Sequence, residues 1–114
     1  MTYEEIRTLV ESIGLPWDYY QFDEDTEQDP PYITYFLEGS HDKYADNSNY
    51  QRIETLTIEL YSEDKDYEDE AAIEAALNRA GLTFARAEEQ IDSEKLYMVI
   101  YQADVLIVED EESE

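Results

Sequence analysis

The spacing of apolar residues predicts a short amphipathic helix at the beginning of the chain. Four apolar residues fall on one side of such a helix, at intervals of three and four: Ile6, Leu9, Val10 and Ile13. Thr2 and Glu5 stand at the spacing of a capping box, which predicts the helix start. Gly14 and Pro16 predict its end, because glycine favours the helix terminus and proline cannot continue the helix.

Alternation of apolar and polar residues predicts strands in the middle of the chain. The candidate strands are Trp17–Phe22, Tyr32–Glu38 and Gln51–Tyr61. In the third of these, Leu56, Ile58 and Leu60 share one face, whereas threonine, glutamate and tyrosine occupy the other. This pattern indicates a half-buried strand whose second face meets solvent or a partner. The polar segments Asp23–Asp29 and Gly39–Asn49 are predicted to be loops.

The second half of the chain predicts a helix followed by a hairpin. Acidic residues crowd the first helical turn from Asp66 onward, where they interact favourably with the helix dipole, and Gly81 marks the end. Thr83–Gln90 and Lys95–Val108 predict two strands joined by a turn at Ile91–Glu94. Much of the final strand is apolar on both faces, which is typical of a strand that is central in its sheet or covered by a partner subunit.

This order of elements, α-β-β-β-α-β-β, predicts an α/β (α+β) fold. We expect a mixed or mainly antiparallel sheet of four to five strands with two helices packed on one face. Residues 1–108 are predicted to form a single domain, and residues 109–114 (EDEESE) an acidic, disordered tail. No apolar run approaches the roughly 20 residues of a membrane span, so we expect a protein without a membrane segment.

Charge restricts the partners of this chain more than any motif does. It has 31 Asp and Glu residues against 7 Lys and Arg, a net charge of −24 on 114 residues. Nucleic acid, anionic membrane and acidic substrates are all repelled by such a surface. There is no cysteine, which excludes a disulfide framework, a thiolate metal site and a cysteine nucleophile.

The chemistry-bearing residues do not form a recognisable catalytic or metal-binding motif. Calcium loops read from Asp23 or Asp64 lack both the central glycine and the closing glutamate. The single histidine, His41, has Ser40 and Asp42 beside it, but sequence neighbours do not build a catalytic triad. We therefore expect a protein that is not an enzyme and that has no catalytic residue, no cofactor and no dedicated metal site.

The tyrosines are the candidate interaction residues. The chain has 11 of them, and tyrosine is enriched at protein interfaces because it combines a large apolar body with a polar tip. The predicted partner interface comprises Tyr44, Asp46, Tyr50, Tyr97 and Tyr101. The alternative interpretation is that many tyrosines fill the rim of a small core.

Four segments, taken together, resemble the tail terminator or tail completion proteins of tailed phages and prophages, a family with a lambda-type minor tail protein fold. The segments are PYITYF at Pro31–Phe36, YADN at Tyr44–Asn47, IETLTIELYSEDKD at Ile53–Asp66 and EQIDSEKLYMVIYQADV at Glu89–Val105. The resemblance extends from Thr2 to about Val108, and it depends on the order of the elements rather than on a catalytic motif.

The resemblance implies a structural role in the virion tail, assembled in the cytoplasm of a host bacterium. Proteins of this family cap the head-proximal end of the tail tube, end tube polymerisation and join the tail to the head connector. They do so as a ring, so the implied partners are further copies in a hexamer, the tail tube protein and the head–tail connector protein. An acidic ring suits this role, because DNA passes through it without being bound.

A second function is consistent with the same composition. Small acidic phage proteins also act as DNA mimics, which inhibit CRISPR or restriction enzymes by occupying their basic nucleic-acid channels. Total charge and size fit both functions equally. The substantial apolar content of the last strand favours the terminator, since a mimic mainly needs a charged exterior.

Overall fold

A computed structural model describes residues 1–21, 29–42, 51–65, 67–92 and 95–108. Its elements in chain order are α1 (Tyr3–Glu11), β1 (Trp17–Tyr19), β2 (Tyr32–Asp42), β3 (Gln51–Ser62), α2 (Tyr67–Arg79), β4 (Phe84–Ile91) and β5 (Leu96–Val108). The predicted α-β-β-β-α-β-β order and α+β class are therefore confirmed.

The strands form one open, five-stranded sheet in the order β1-β2-β3-β5-β4. β1 lies parallel to β2, and the pairs β2–β3, β3–β5 and β4–β5 are antiparallel. This is the mixed sheet that the element order predicts. β5 is interior, between β3 and β4, and only β1 and β4 lie at the edges.

α1 begins at the predicted capping box. The Thr2 hydroxyl accepts a hydrogen bond from the Glu5 backbone N–H at 3.1 Å, and the Glu5 carboxylate accepts one from the Thr2 N–H at 2.8 Å. These two bonds satisfy backbone groups that a helix start otherwise leaves unpaired. After the helix the chain turns at Gly14, whose φ of +92° is accessible to glycine without a steric penalty.

Both helices pack on the same face of the sheet, as predicted. α1 buries Ile6, Leu9 and Val10, and α2 buries Ile73, Ala76 and Leu77. The strand residues beneath them include Ile33 and Tyr35 of β2, Leu56, Ile58 and Leu60 of β3, and Val99, Tyr101, Val105 and Ile107 of β5. The alternation in β3 therefore identified its buried face correctly.

Two strand boundaries differ from the prediction by more than one residue, and the ends of β3, β4 and β5 differ by one at most. β1 ends at Tyr19 rather than Phe22, because Tyr20 adopts a φ of 72° that takes the chain out of the extended conformation. β2 continues to Asp42 through residues predicted as a loop, with a register shift between Glu38 and His41. Pairing with β3 outweighs the weak strand preference of this polar sequence.

Parts of the predictions lie outside the described residues. These are most of the Asp23–Asp29 loop, the remainder of the Gly39–Asn49 loop from residue 43 onward, and the acidic tail at 109–114. The two-layer architecture nevertheless rests on described residues, because both helices and all five strands are among them.

Because the core lies on one side of the sheet, replacing two isoleucines on adjacent strands by alanine should lower the free energy of unfolding by unequal amounts. Ile58 of β3 is fully buried beneath the helices, whereas Ile100 of β5 is half-buried on the opposite face. We expect Ile58→Ala to lower the free energy of unfolding by about 2–5 kcal/mol, since it leaves a cavity in the core. Ile100→Ala should cost about 1 kcal/mol, because less apolar area is lost. Urea unfolding of both variants measures the difference, and equal losses would contradict the layered arrangement.

Candidate functional site

The sheet face opposite the helices, named here the open face, is not covered by any described element. The strand registers place the following side chains on it: Asp18 of β1; Tyr32, Thr34, Phe36 and Glu38 of β2; Ile53, Thr55, Thr57, Glu59 and Tyr61 of β3; Met98, Ile100, Gln102, Asp104, Leu106 and Val108 of β5; and Ala85, Ala87 and Glu89 of β4. Most described side chains of this face are exposed or half-buried.

Glu59 lies near the middle of the open face and is held by two hydroxyl groups. The Tyr61 hydroxyl donates to Glu59 Oε1 at 2.9 Å, and the Thr34 hydroxyl donates to the same oxygen at 3.2 Å. Burial raises the pKa of Tyr61 far above its ordinary value, and the hydrogen bond to Glu59 adds to this increase. The phenol therefore stays protonated and keeps donating, which fixes the carboxylate in place.

Polar cross-strand pairs continue this band toward the other end of the face. Thr55 donates to Asp104 Oδ1 at 2.9 Å, and Gln102 Nε2 donates to the Thr57 hydroxyl at 3.4 Å. Both pairs join β3 to β5 at directly opposed positions. The polar side chains named here are thus ordered, each with a fixed partner, and they share the middle of the face with Phe36 and Ile100.

Apolar side chains lie at both ends of this polar band. At one end, the rings of Tyr32 and Tyr61 stack at 4.9 Å. Beside the band, Tyr20 packs on Phe36, which lies opposite Thr57; the two ring centroids are 5.4 Å apart, and Tyr20 is 65% exposed. At the other end, Leu106 and Val108 of β5 are 44% and 43% exposed, and Leu106 lies opposite Ile53. The open face therefore combines exposed apolar area with fixed polar groups, a composition typical of protein interfaces.

The charges on the open face have a single sign. Its carboxylates are Asp18, Glu38, Glu59, Glu89 and Asp104. The described side chains of this face include no lysine or arginine. The charged side chains that the structure describes on this face are therefore all acidic.

The principal group of ion pairs lies on the helix side of the sheet, between α2 and β4. Glu70 is buried, with 5% of the residue exposed, and Arg86 Nη2 donates to its Oε1 at 2.6 Å. Lys65 Nζ lies 3.0 Å from the other carboxylate oxygen, close enough for an ion pair but outside hydrogen-bond geometry. Glu88 completes the group, 2.9 Å from Lys65 Nζ and 3.0 Å from Arg86 Nη2. We call these four residues the ionic cluster.

The ionic cluster attaches the edge strand β4 to the rest of the fold. Most residues of β4 are exposed, so few apolar contacts hold the strand besides its pairing with β5. Arg86 and Glu88 turn toward the helix side, and their partners Lys65 and Glu70 lie before and within α2. Inward-facing charges at an edge strand also discourage pairing with another chain. The cluster therefore has a structural explanation that requires no catalytic role.

The structure describes two of the five predicted interface residues, and it places both on the helix side of β5. Tyr101 is 1% exposed, and its hydroxyl donates to Glu74 Oε2 at 2.8 Å. Burial, with a further contribution from this hydrogen bond, raises the pKa of Tyr101 above its ordinary value. Tyr97 lies on the same face of β5 and is half-buried. Tyr44, Asp46 and Tyr50 lie outside the described residues.

The open face is the candidate site that the tyrosine argument missed. The sequence does indicate this face, because the alternation in β3 places Thr55, Thr57, Glu59 and Tyr61 on the side opposite the core. The sequence alone does not predict the strand register, which places Leu106 opposite Ile53 and Val108 two residues further along β5. That register joins the apolar residues of two strands into one surface.

Comparison with known proteins adds no assignment, since no family model, curated protein or solved structure matches the chain. Within the described ranges, no group of three or more His, Cys, Asp or Glu side chains is arranged to hold a metal ion. Neither described helix has the length and apolar character needed to cross a membrane. The open face and the charge are therefore the features of the chain that bear on its function.

The ionic cluster predicts a large cost for loss of one arginine. Arg86→Met leaves the buried Glu70 carboxylate with Lys65 alone, so we expect the free energy of unfolding to fall by about 2–4 kcal/mol. The matched control is Arg79→Met, which removes an exposed arginine whose guanidinium lies 3.4 Å from the Ser12 hydroxyl. This control should cost about 0.5 kcal/mol. Chemical denaturation distinguishes the two, and a similar small loss in both would contradict the structural importance of the cluster.

The same cluster predicts a pH dependence of stability. The ammonium group of Lys65, and next the guanidinium of Arg86, lower the pKa of Glu88 below its ordinary value of 4.5. A carboxyl group with a lowered folded-state pKa stabilises the fold above the ordinary value, and this stabilisation is lost as the pH falls through the lowered one.

We therefore expect the free energy of unfolding of Glu88→Gln to fall less steeply than that of the wild type between about pH 5 and pH 3. The measurement is urea denaturation at several pH values. Glu89→Gln is the control, because it removes one carboxylate from the adjacent residue on the opposite face of β4. Identical slopes for the Glu88 and Glu89 variants would refute the assignment.

Proposed function

We propose that this chain is the subunit of a tail terminator, a structural phage protein that caps the head-proximal end of the tail tube. In this function it ends tube polymerisation and joins the tail to the head connector. It acts as a ring, taken to be a hexamer, through which DNA passes. The function requires no catalytic group and no cofactor.

The observation that carries this proposal is the open face of the sheet. A stable monomer with no partner has little use for a sheet face on which Leu106 and Val108 are more than 40% exposed and Tyr20 is 65% exposed. Exposed apolar residues beside ordered polar groups favour docking of a protein. A terminator subunit needs such a surface, because it contacts neighbouring copies, the tube and the connector.

The charge of the chain is consistent with the proposed DNA passage. Tight binding to DNA requires lysine and arginine to neutralise phosphates, and this chain has only 7 of them against 31 acidic residues. A ring of such subunits repels the phosphate backbone, so the genome meets no adhesive surface. The resemblance of four segments to the terminator family supports the same function.

Tube capping in vitro tests the proposal. We expect this chain, added to polymerising tail tube protein from the same genome, to give short tubes of uniform length with a ring at one end, visible by electron microscopy. Leu106→Asp should weaken capping about tenfold or more, because it places a charge in the apolar part of the docking surface. The matched control is Tyr67→Asp on α2, which alters a side chain that is 73% exposed and should cap normally.

The opposing result is equally specific. A chain that stays monomeric by light scattering, leaves tube growth unchanged and binds a basic nuclease would contradict the terminator function. The acidic surface would then be the functional feature, as in a DNA mimic. Circular dichroism of both variants separates loss of function from loss of folding.

A further inference from the structure

We propose that the open face docks a basic surface of the tail tube rather than a second copy of this chain. This inference rests on the proposed function, and it specifies the chemistry of the partner that binds the open face. The occupant is a protein surface on which lysine or arginine side chains surround aliphatic or aromatic anchors.

The charge of the open face is the first argument. Glu38 and Asp104 lie in one row across the sheet, both opposite Thr55 of β3, and both are exposed. Glu89 lies at the β4 edge. Two copies meeting through this face would bring these carboxylates together, and like charges at an interface cost several kcal/mol. A basic surface instead pairs with each of them.

The scarcity of available cations on the chain is the second argument. The chain has only 7 basic residues, and four of those described already have intramolecular contacts. Arg7 lies 3.9 Å from Glu11, Arg79 contacts Ser12, and Lys65 and Arg86 belong to the ionic cluster. A second copy therefore offers few free positive groups to an acidic face, whereas a different protein has no such restriction.

The exposed apolar residues of the open face argue against a third use, the lining of a DNA channel. A channel wall that must not bind DNA needs negative or neutral polar groups, and exposed Leu106, Val108 and Tyr20 serve no purpose there. Those same residues fit an interface, in which apolar anchors supply affinity and the carboxylates set partner choice.

The size of the face suits repeated small contacts. From Ile53 to Tyr61 the face is about 27 Å long, and four strands make it about 15 Å wide, which gives about 400 Å². This is about half of what one partner contributes to a standard interface. A ring multiplies such a contact by its number of subunits, because every further contact becomes intramolecular.

Charge reversal on the open face tests the inference. In Glu38→Lys/Asp104→Lys, we expect affinity for the tube end to fall about 10- to 100-fold, with ring formation unchanged. The matched control is Glu4→Lys/Glu68→Lys, which reverses two exposed carboxylates on the helices and should change affinity less than about threefold. Glu38→Gln/Asp104→Asn should lie between them, since the amide oxygen still accepts the Thr55 hydrogen bond and the fold keeps this contact. Mass photometry measures rings, and a titration of capped tubes at several salt concentrations measures affinity.

Each result has one interpretation. Loss of capping with intact rings, and a weaker salt dependence than the wild type, supports a basic partner on the open face. Loss of rings in the open-face variant alone would assign the face to copy–copy contact and overturn the inference while leaving the terminator function standing. Unchanged rings and capping, or rings that now retain DNA, would overturn it too. A wild-type chain that neither forms rings nor caps tubes would instead reject the proposed function itself.

Discussion

Burial of one sheet face beneath α1 and α2 is the interaction on which the other features of the fold depend. The described residues form two helices and five strands, and both helices pack on the same side. Ile58, Leu60 and Val99 are consequently buried almost completely, while the side chains that alternate with them point away from the helices, to a face that no described element covers. A small fold with one core thus has a broad exposed sheet surface, and the residues on that surface determine which partner it binds.

The scarcity of positive charge is the second constraint. Lys65 and Arg86 both contact Glu70, so two of the seven basic residues stabilise a buried carboxylate. A buried carboxylate is costly to leave unpaired, which explains why cations concentrate there. Among the side chains that the structure describes, no lysine or arginine lies on the open face beside its carboxylates. The single sign of charge there agrees with the use of these cations on the other side of the sheet.

Much of the fold was predictable from the sequence, because periodicity reports burial directly. The capping box at Thr2 and Glu5 identified the start of α1, and the spacing of Ile6, Leu9 and Val10 identified its buried side. The alternation of β3 identified both that strand and its buried face. The extension of β2 to Asp42 was not predictable, because it depends on pairing with β3 rather than on local preference. The same holds for register, which no single strand specifies by itself.

The candidate site was less predictable than the fold, and Tyr101 illustrates the reason. A tyrosine in an apolar strand has the same local signature whether its ring is buried or exposed. Its assignment to the core depends on strand order, on α2 above it and on Glu74, which accepts its hydroxyl hydrogen bond. Glu70 shows the converse case, since its position in the first turn of α2 suggests a solvated carboxylate. One indication of the ion pair between Glu70 and Arg86 was present in the sequence, namely an arginine in the middle of a strand rich in glutamate.

The combination of acidic and apolar groups on one face also separates the two candidate functions in physical terms. A DNA mimic competes for a channel shaped to take phosphates, so its contact surface gains from carboxylates and loses from exposed leucine or valine. On the open face, Asp104 lies two residues from Leu106 on β5, and Glu38 lies across Thr55 from Asp104. Glu59 adjoins the stacked pair of Tyr32 and Tyr61. Carboxylates interleaved with anchors in this way match a protein surface that has both charge and apolar pockets. The arrangement of the acidic residues therefore favours the proposed terminator over a DNA mimic, whereas their number fits both.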